Sequence, residues 1–170
     1  MSDRTPKEEV EQAALLSAGL RGIRQARRLR ASEVAQSMGM PLRTYQHFEE
    51  GKGALDFEKL KRFADATDSD PFAIVASIWM KSPEFAIRTA DNKPLVVLML
   101  ALREFHEELG EDIGFIEPRV FWGGFRRVFQ DLTEHVRSRD ITAETWLDEK
   151  ARSLGLPVSF GRKSGPRRRR

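Results

Sequence analysis

The sequence contains no cysteine, which excludes a disulfide framework, thiolate chemistry and any cysteine-based metal site. A reducing cytoplasm fits that absence. Long apolar runs are also missing. The longest, Leu95 to Leu102, falls far short of the roughly 20 residues that cross a bilayer. The N-terminal stretch MSDRTPKEEVEQ is polar and acidic, unlike a secretory signal. A soluble, cytoplasmic protein with no membrane contact is the expectation. The only imidazoles are His47, His106 and His135, and none stands in an HExxH-like spacing. Glu104, His106, Glu107 and Glu108 read as a solvated face, and Glu107 to Asp112 as a helix end and loop. No phosphate-binding glycine loop and no nucleophile elbow is present. The reading is a non-enzyme without metal or cofactor.

What is present is an uneven charge distribution. Formal net charge is only +3. It divides into −2 over residues 1–19, +4 over 20–52, −5 over 53–155 and +6 over 156–170. Such a pattern fits a protein whose basic segments touch a polyanion while its middle does something else. With 170 residues and 40% apolar content, the chain has room for one domain or two small ones.

The basic segment around Ala31–Gly51 carries the most information. Val34, Ala35 and Met38 give a short helix one apolar face. Gly39 ends it, because glycine accepts the left-handed conformation without a Cβ clash. Pro41 opens a second helix, where its missing N–H costs nothing. In that helix Tyr45 and Phe48 point one way, and Arg43, Gln46, His47 and Glu50 the other. An inward aromatic pair behind an outward polar row suits a helix laid in a groove. An ordinary helical hairpin would show the same periodicity.

From about Leu20 to Ile78 the chain resembles the Cro/C1-type (XRE) helix-turn-helix family of phage and bacterial transcription regulators. The residues that carry the likeness are Leu20, Ile23, Arg24, Glu33, Val34, Ala35, Gly39, Tyr45, Phe48, Glu49, Gly51, Leu60, Phe63 and Ala64. The resemblance implies a five-helix, lambda-repressor-like DNA-binding domain. It implies base readout by Leu42, Arg43, Gln46 and His47, a phosphate contact from Thr44, and a structural ion pair between Arg24 and Glu49. Two positions depart from the pattern. Ala31 stands where many members carry glutamine, and Pro41 where serine or threonine usually caps the third helix.

The rest of the chain reads as helices too. Pro6 to Leu29 is one long helix or two abutting ones, bent near Gly19 and Gly22. Arg21, Arg27, Arg28 and Arg30 lie mostly off its apolar stripe; we take Arg21, Arg28 and Arg30, with Lys52, as phosphate contacts. Asp56 caps a fourth helix, and Asp70–Pro71 starts a fifth with Phe72, Val75, Ile78 and Trp79 on its apolar side. Domain one therefore spans 1–80, and 81–93 reads as a linker. Residues 94–155 form a small helical domain for dimerisation or partner binding. Its first helix, Pro94–Leu109, is apolar nearly all round, which implies burial on all sides, under the remaining two helices or under a second copy of the protein. A second runs from Glu117 to about Arg137, with Gly123–Gly124 permitting a kink, and a third from Thr142 to about Leu154 buries Trp146 and Leu147. Residues 156–170 read as a disordered tail whose Arg167, Arg168, Arg169 and Arg170 follow phosphates.

The fold class expected is all-α, and the partner double-stranded DNA, in the nucleoid, with a homodimer on an inverted repeat. If residues 83–155 only dimerise the protein, repression is the simplest outcome. If they bind RNA polymerase or a partner regulator, the protein is an activator or co-activator. A small-molecule sensor and an antitoxin are further alternatives.

Overall fold

The computed structural model describes residues 5–53 and 55–153, with side chains up to residue 138. Every regular element in them is helical. In chain order these are α1 (Pro6–Ala26), α2 (Ala31–Ser37), α3 (Leu42–Glu49), α4 (Phe57–Thr67), α5 (Pro71–Trp79), α6 (Pro83–Arg88) and α7 (Pro94–Leu109). A 3₁₀ turn (Gly110–Phe115) and α8 (Pro118–Ser153) follow. The chain divides into two compact units between Gly110 and Glu111.

The core of the first unit is built by α1 to α6. Leu16, Leu20 and Ile23 of α1 meet Val34, Ala35 and Met38 of α2, Tyr45 and Phe48 of α3, Leu60 and Phe63 of α4, and Ile74 and Ile78 of α5. Phe48 lies between two rings, 6.4 Å from Tyr45 and 6.1 Å from Phe63 between centroids. Each buried Leu, Ile, Val, Met or Phe among them contributes about 1.5–3 kcal/mol relative to exposure. Side-chain caps fix where helices begin. Thr5 and Glu8 form a capping box at α1, and Asp56 accepts from the Glu58 and Lys59 amides at α4.

Residues 81–93 are more than a linker. They contain α6, which packs against α1 and α5 and buries Ala86 completely. Gly22 makes this possible, since a Cβ there would overlap the Ile87 side chain. The glycine thus serves close helix packing, and α1 continues past it as one helix to Ala26. Helix α5 is turned from the expected face: Ala73, Ile74, Ser77 and Ile78 are buried, and Trp79 is 82% exposed.

Asp70 does more than start α5. It is 1% exposed, and its Oδ1 accepts from the Phe72 and Ala73 amides at 3.0 Å each. Its Oδ2 accepts from the Leu95 and Val96 amides of α7 at 2.8 and 3.1 Å. One carboxylate therefore caps two helices. The junction is held further by Lys93 on Asp68 and Arg27 on Asp91.

Within the single chain α7 is not covered on all sides. No α7 residue is buried, and Val97, Met99 and Leu100 are exposed. The two last helices expected of the sequence are one, since α8 runs unbroken through Gly123–Gly124 and through Thr142. Threonine is a good cap, but nothing here forces its backbone out of the helix. The side chains of Trp146 and Leu147 and the tail 156–170 lie outside those described.

Candidate nucleic-acid interface

The turn between α2 and α3 is set by Gly39 at φ 64° and by Pro41 in extended conformation. Pro41 gives α3 no side-chain cap. Its carbonyl accepts from the Tyr45 amide at 3.0 Å and starts the helical ladder. At the other end Gly51 has φ 71°, and a Cβ there would run into the backbone of Ala13. Only glycine lets the chain leave α3 so close to α1.

Helix α3 is divided as its spacing predicts. Tyr45, Phe48 and Glu49 are buried, while Leu42, Arg43, Thr44, Gln46 and His47 are exposed. Among the described residues Arg43 has no ion-pair partner. The outward row therefore presents a cation, an amide and an imidazole, the groups that bond base edges in a major groove.

Beneath that row lies a buried polar network. Arg24 grips Glu49 with two bonds, Nε to Oε1 at 2.5 Å and Nη2 to Oε2 at 3.0 Å. Its Nη1 donates to the Leu29 carbonyl at 3.2 Å, and the Tyr45 hydroxyl donates to Glu49 Oε1 at 2.7 Å. The network ties α1 to α3 and fixes the rotation of the outward row. Burial works to raise the Glu49 pKa, but hydrogen bonds from Arg24 and Tyr45 and the charges of Arg24 and Arg21 outweigh it. The carboxyl ends below its ordinary range. Burial first, and the bond to Glu49 second, push the Tyr45 hydroxyl up. Both groups keep the protonation that the network needs.

The flanking cations are less uniform than their spacing suggests. Arg28 is exposed. Arg21 is half exposed and leans to Glu49 at 3.9 Å. Arg30 pairs with Glu33 at 2.9 Å, and Glu33 also accepts from the Arg30 amide to close the start of α2. Lys52 pairs with Glu50 at 2.7 Å. Arg27 is a fold residue, donating to the Thr67 and Asp68 carbonyls. Its partners lie 40 positions and more along the chain, so local spacing could not reveal this. Arg167 to Arg170 lie outside the described residues. Among the described residues no three carboxylate or imidazole side chains gather where they could hold a metal, and no helix is long and apolar enough to cross a membrane.

No curated protein and no solved structure matches the chain. Residues 20–74 match the family described as helix-turn-helix, the span in which α2, the Gly39 turn and α3 lie. Over this span the chain is similar to helix-turn-helix domains of the Cro/C1 (XRE) type, a kind of DNA-binding domain that serves transcription regulation.

Proposed function

We propose that the protein is a sequence-specific transcription regulator that lays α3 in the major groove of double-stranded DNA. The observation that carries this reading is the exposed row Arg43, Gln46 and His47 over buried Tyr45 and Phe48, inside the matched span. Arg43 is assigned to guanine O6 and N7, Gln46 and His47 to neighbouring base edges, and Leu42 to a thymine methyl. Thr44, Lys52, Arg21, Arg28 and Arg30 are assigned to phosphates, which position the helix without reading sequence.

One eight-residue helix reads too few base pairs for genomic selectivity, which favours a homodimer on an inverted repeat. Exposed apolar side chains on α8 support self-association: Trp122, Phe125, Phe129, Leu132 and Val136 are 40–70% exposed along one face. A second reading, an activator that contacts RNA polymerase or a partner regulator, is favoured by Trp79 standing 82% exposed on the reader itself.

Arg43→Ala tests the readout. Specific affinity should fall about 5- to 150-fold, the equivalent of about 1–3 kcal/mol for a bidentate arginine–guanine contact. Melting should be unchanged because the side chain is exposed; an unaltered binding constant removes Arg43 from the readout. Deleting Arg167–Arg170 should weaken binding to every duplex alike and flatten the salt dependence by about 0.9 per arginine engaged. Identical slopes in a salt titration make the tail a bystander.

A further inference from the structure

We propose that Glu50 masks Lys52 from the DNA backbone and thereby holds down the protein's affinity for any duplex. This rests on α3 being the DNA-reading helix. Three of the cations assigned to phosphates have a carboxylate beside them: Arg21 has Glu49, Arg30 has Glu33 and Lys52 has Glu50. The first two carboxylates have work in the fold. Glu49 holds Arg24 and Tyr45, and Glu33 closes the start of α2.

Glu50 has no such work. It is the C-cap of α3, 40% exposed in its side chain, and its carboxylate holds Lys52 Nζ at 2.7 Å. A negative charge there opposes the helix dipole, which favours cations at a C-terminus. It also stands in the row with Arg43, Gln46 and His47, where a polyanion is to dock. Folding and phosphate attraction would both select a neutral or basic residue, yet a glutamate is present. The hydrogen bond from Lys52 and its charge hold the Glu50 carboxyl below the usual carboxylate range, with His47 and Arg21 adding to the effect. It is therefore charged at neutral pH. To bond a phosphate, Lys52 must leave this partner, and the freed carboxylate then faces the DNA backbone. Because neither step involves a base, the attenuation applies to specific and arbitrary sites alike. Occupancy of a single reader is kept weak, so stable binding depends on additional contacts.

Salt titration of the full-length protein on a random-sequence duplex, read by fluorescence anisotropy, provides the test. Glu50→Gln should bind about three- to fivefold more tightly at low salt, in keeping with release of one exposed ion pair. The slope of log affinity against log salt should steepen by about 0.9, one further phosphate. In a Lys52→Ala background the same substitution should bring only the smaller gain of removing a bare negative charge, without the steeper slope of a further phosphate contact. Glu50→Ala should repeat the result should the glutamine introduce a new bond. Unchanged affinity, or an equal gain without Lys52, overturns the proposal. A loss of affinity also overturns it and makes the carboxylate an acceptor for a base. Failure of the wild type to bind any duplex would instead sink the DNA-reading assignment, and the masking with it.

Discussion

Glu49→Ala is expected to destabilise the protein by about 3–5 kcal/mol, the range for removing one partner of a buried ion pair. The cost arises in what remains. Arg24, whose side chain is 17% exposed, would lose its charge partner and keep the Leu29 carbonyl and the neighbouring Tyr45 side chain, while the fully buried Tyr45 hydroxyl would lose its acceptor. A small domain is stable by only about 5–15 kcal/mol, so this loss should be plain in urea unfolding. Sequence preference should survive in whatever fraction stays folded, because Glu49 lies behind the outward row. Wild-type unfolding would remove the network from the account.

The same residue predicts a dependence on pH. Its folded pKa lies below the ordinary value of 4.5. A lowered folded pKa means stability that is fully present above the unfolded value and lost as pH falls through the folded one. The stability difference between wild type and Glu49→Ala should therefore be constant near neutrality and shrink as pH falls below about 4.5. A difference that stays constant under acid would show that the carboxylate charge does not contribute.

Asp70→Ala is the second large effect, expected at about 2–4 kcal/mol. Loss of a helix N-cap costs about 1 kcal/mol, and the α7 amides add the penalty of buried donors left unpaired, about 1–3 kcal/mol. Hydrogen exchange separates the two parts. The Leu95 and Val96 amides should lose protection along with those of Phe72 and Ala73, although Leu95 stands 25 positions beyond Asp70. Asp70→Asn, with one acceptor oxygen in place of two, should restore one set of amides and not both. Destabilisation below about 0.5 kcal/mol, within the range of ordinary surface substitutions, would contradict the double cap.

These residues also show how much of the molecule could be read in its sequence. Gly39 and Pro41 marked the turn, Asp56 and Asp70 marked helix starts, and the spacing of Tyr45 and Phe48 divided α3 into an inner and an outer face. Each of these rests on neighbours within a few positions, and the structure agrees at each. The pairing of Arg24 with Glu49 spans 25 residues and came from family resemblance, since no local rule specifies it. Without such help, the contact of Asp70 with α7 and the carbonyls claimed by Arg27 stayed hidden. Helix α6 is hidden in the sequence because its six residues are too few to show a period; its one signal is Gly22, a small residue where α1 would otherwise carry a side chain. The exposure of Trp79 is not legible because a nine-residue helix with apolar residues on most sides leaves its rotation open.

The site follows the same division. Residues that face outward on α3 were legible because amphipathicity is a local property. The state of the cations around them was not, because pairing of Lys52 with Glu50 or Arg30 with Glu33 depends on side-chain placement. A list of basic residues overstates what is free to meet phosphate.

The most direct test of the account is selection of bound fragments from sheared genomic DNA by the purified protein, run in parallel with Arg43→Ala, followed by sequencing. The wild type should enrich a motif arranged as an inverted repeat, and the variant should lose it. Absence of any motif with the wild type, or the same motif enriched equally by the variant, would contradict the claim that α3 reads the sequence.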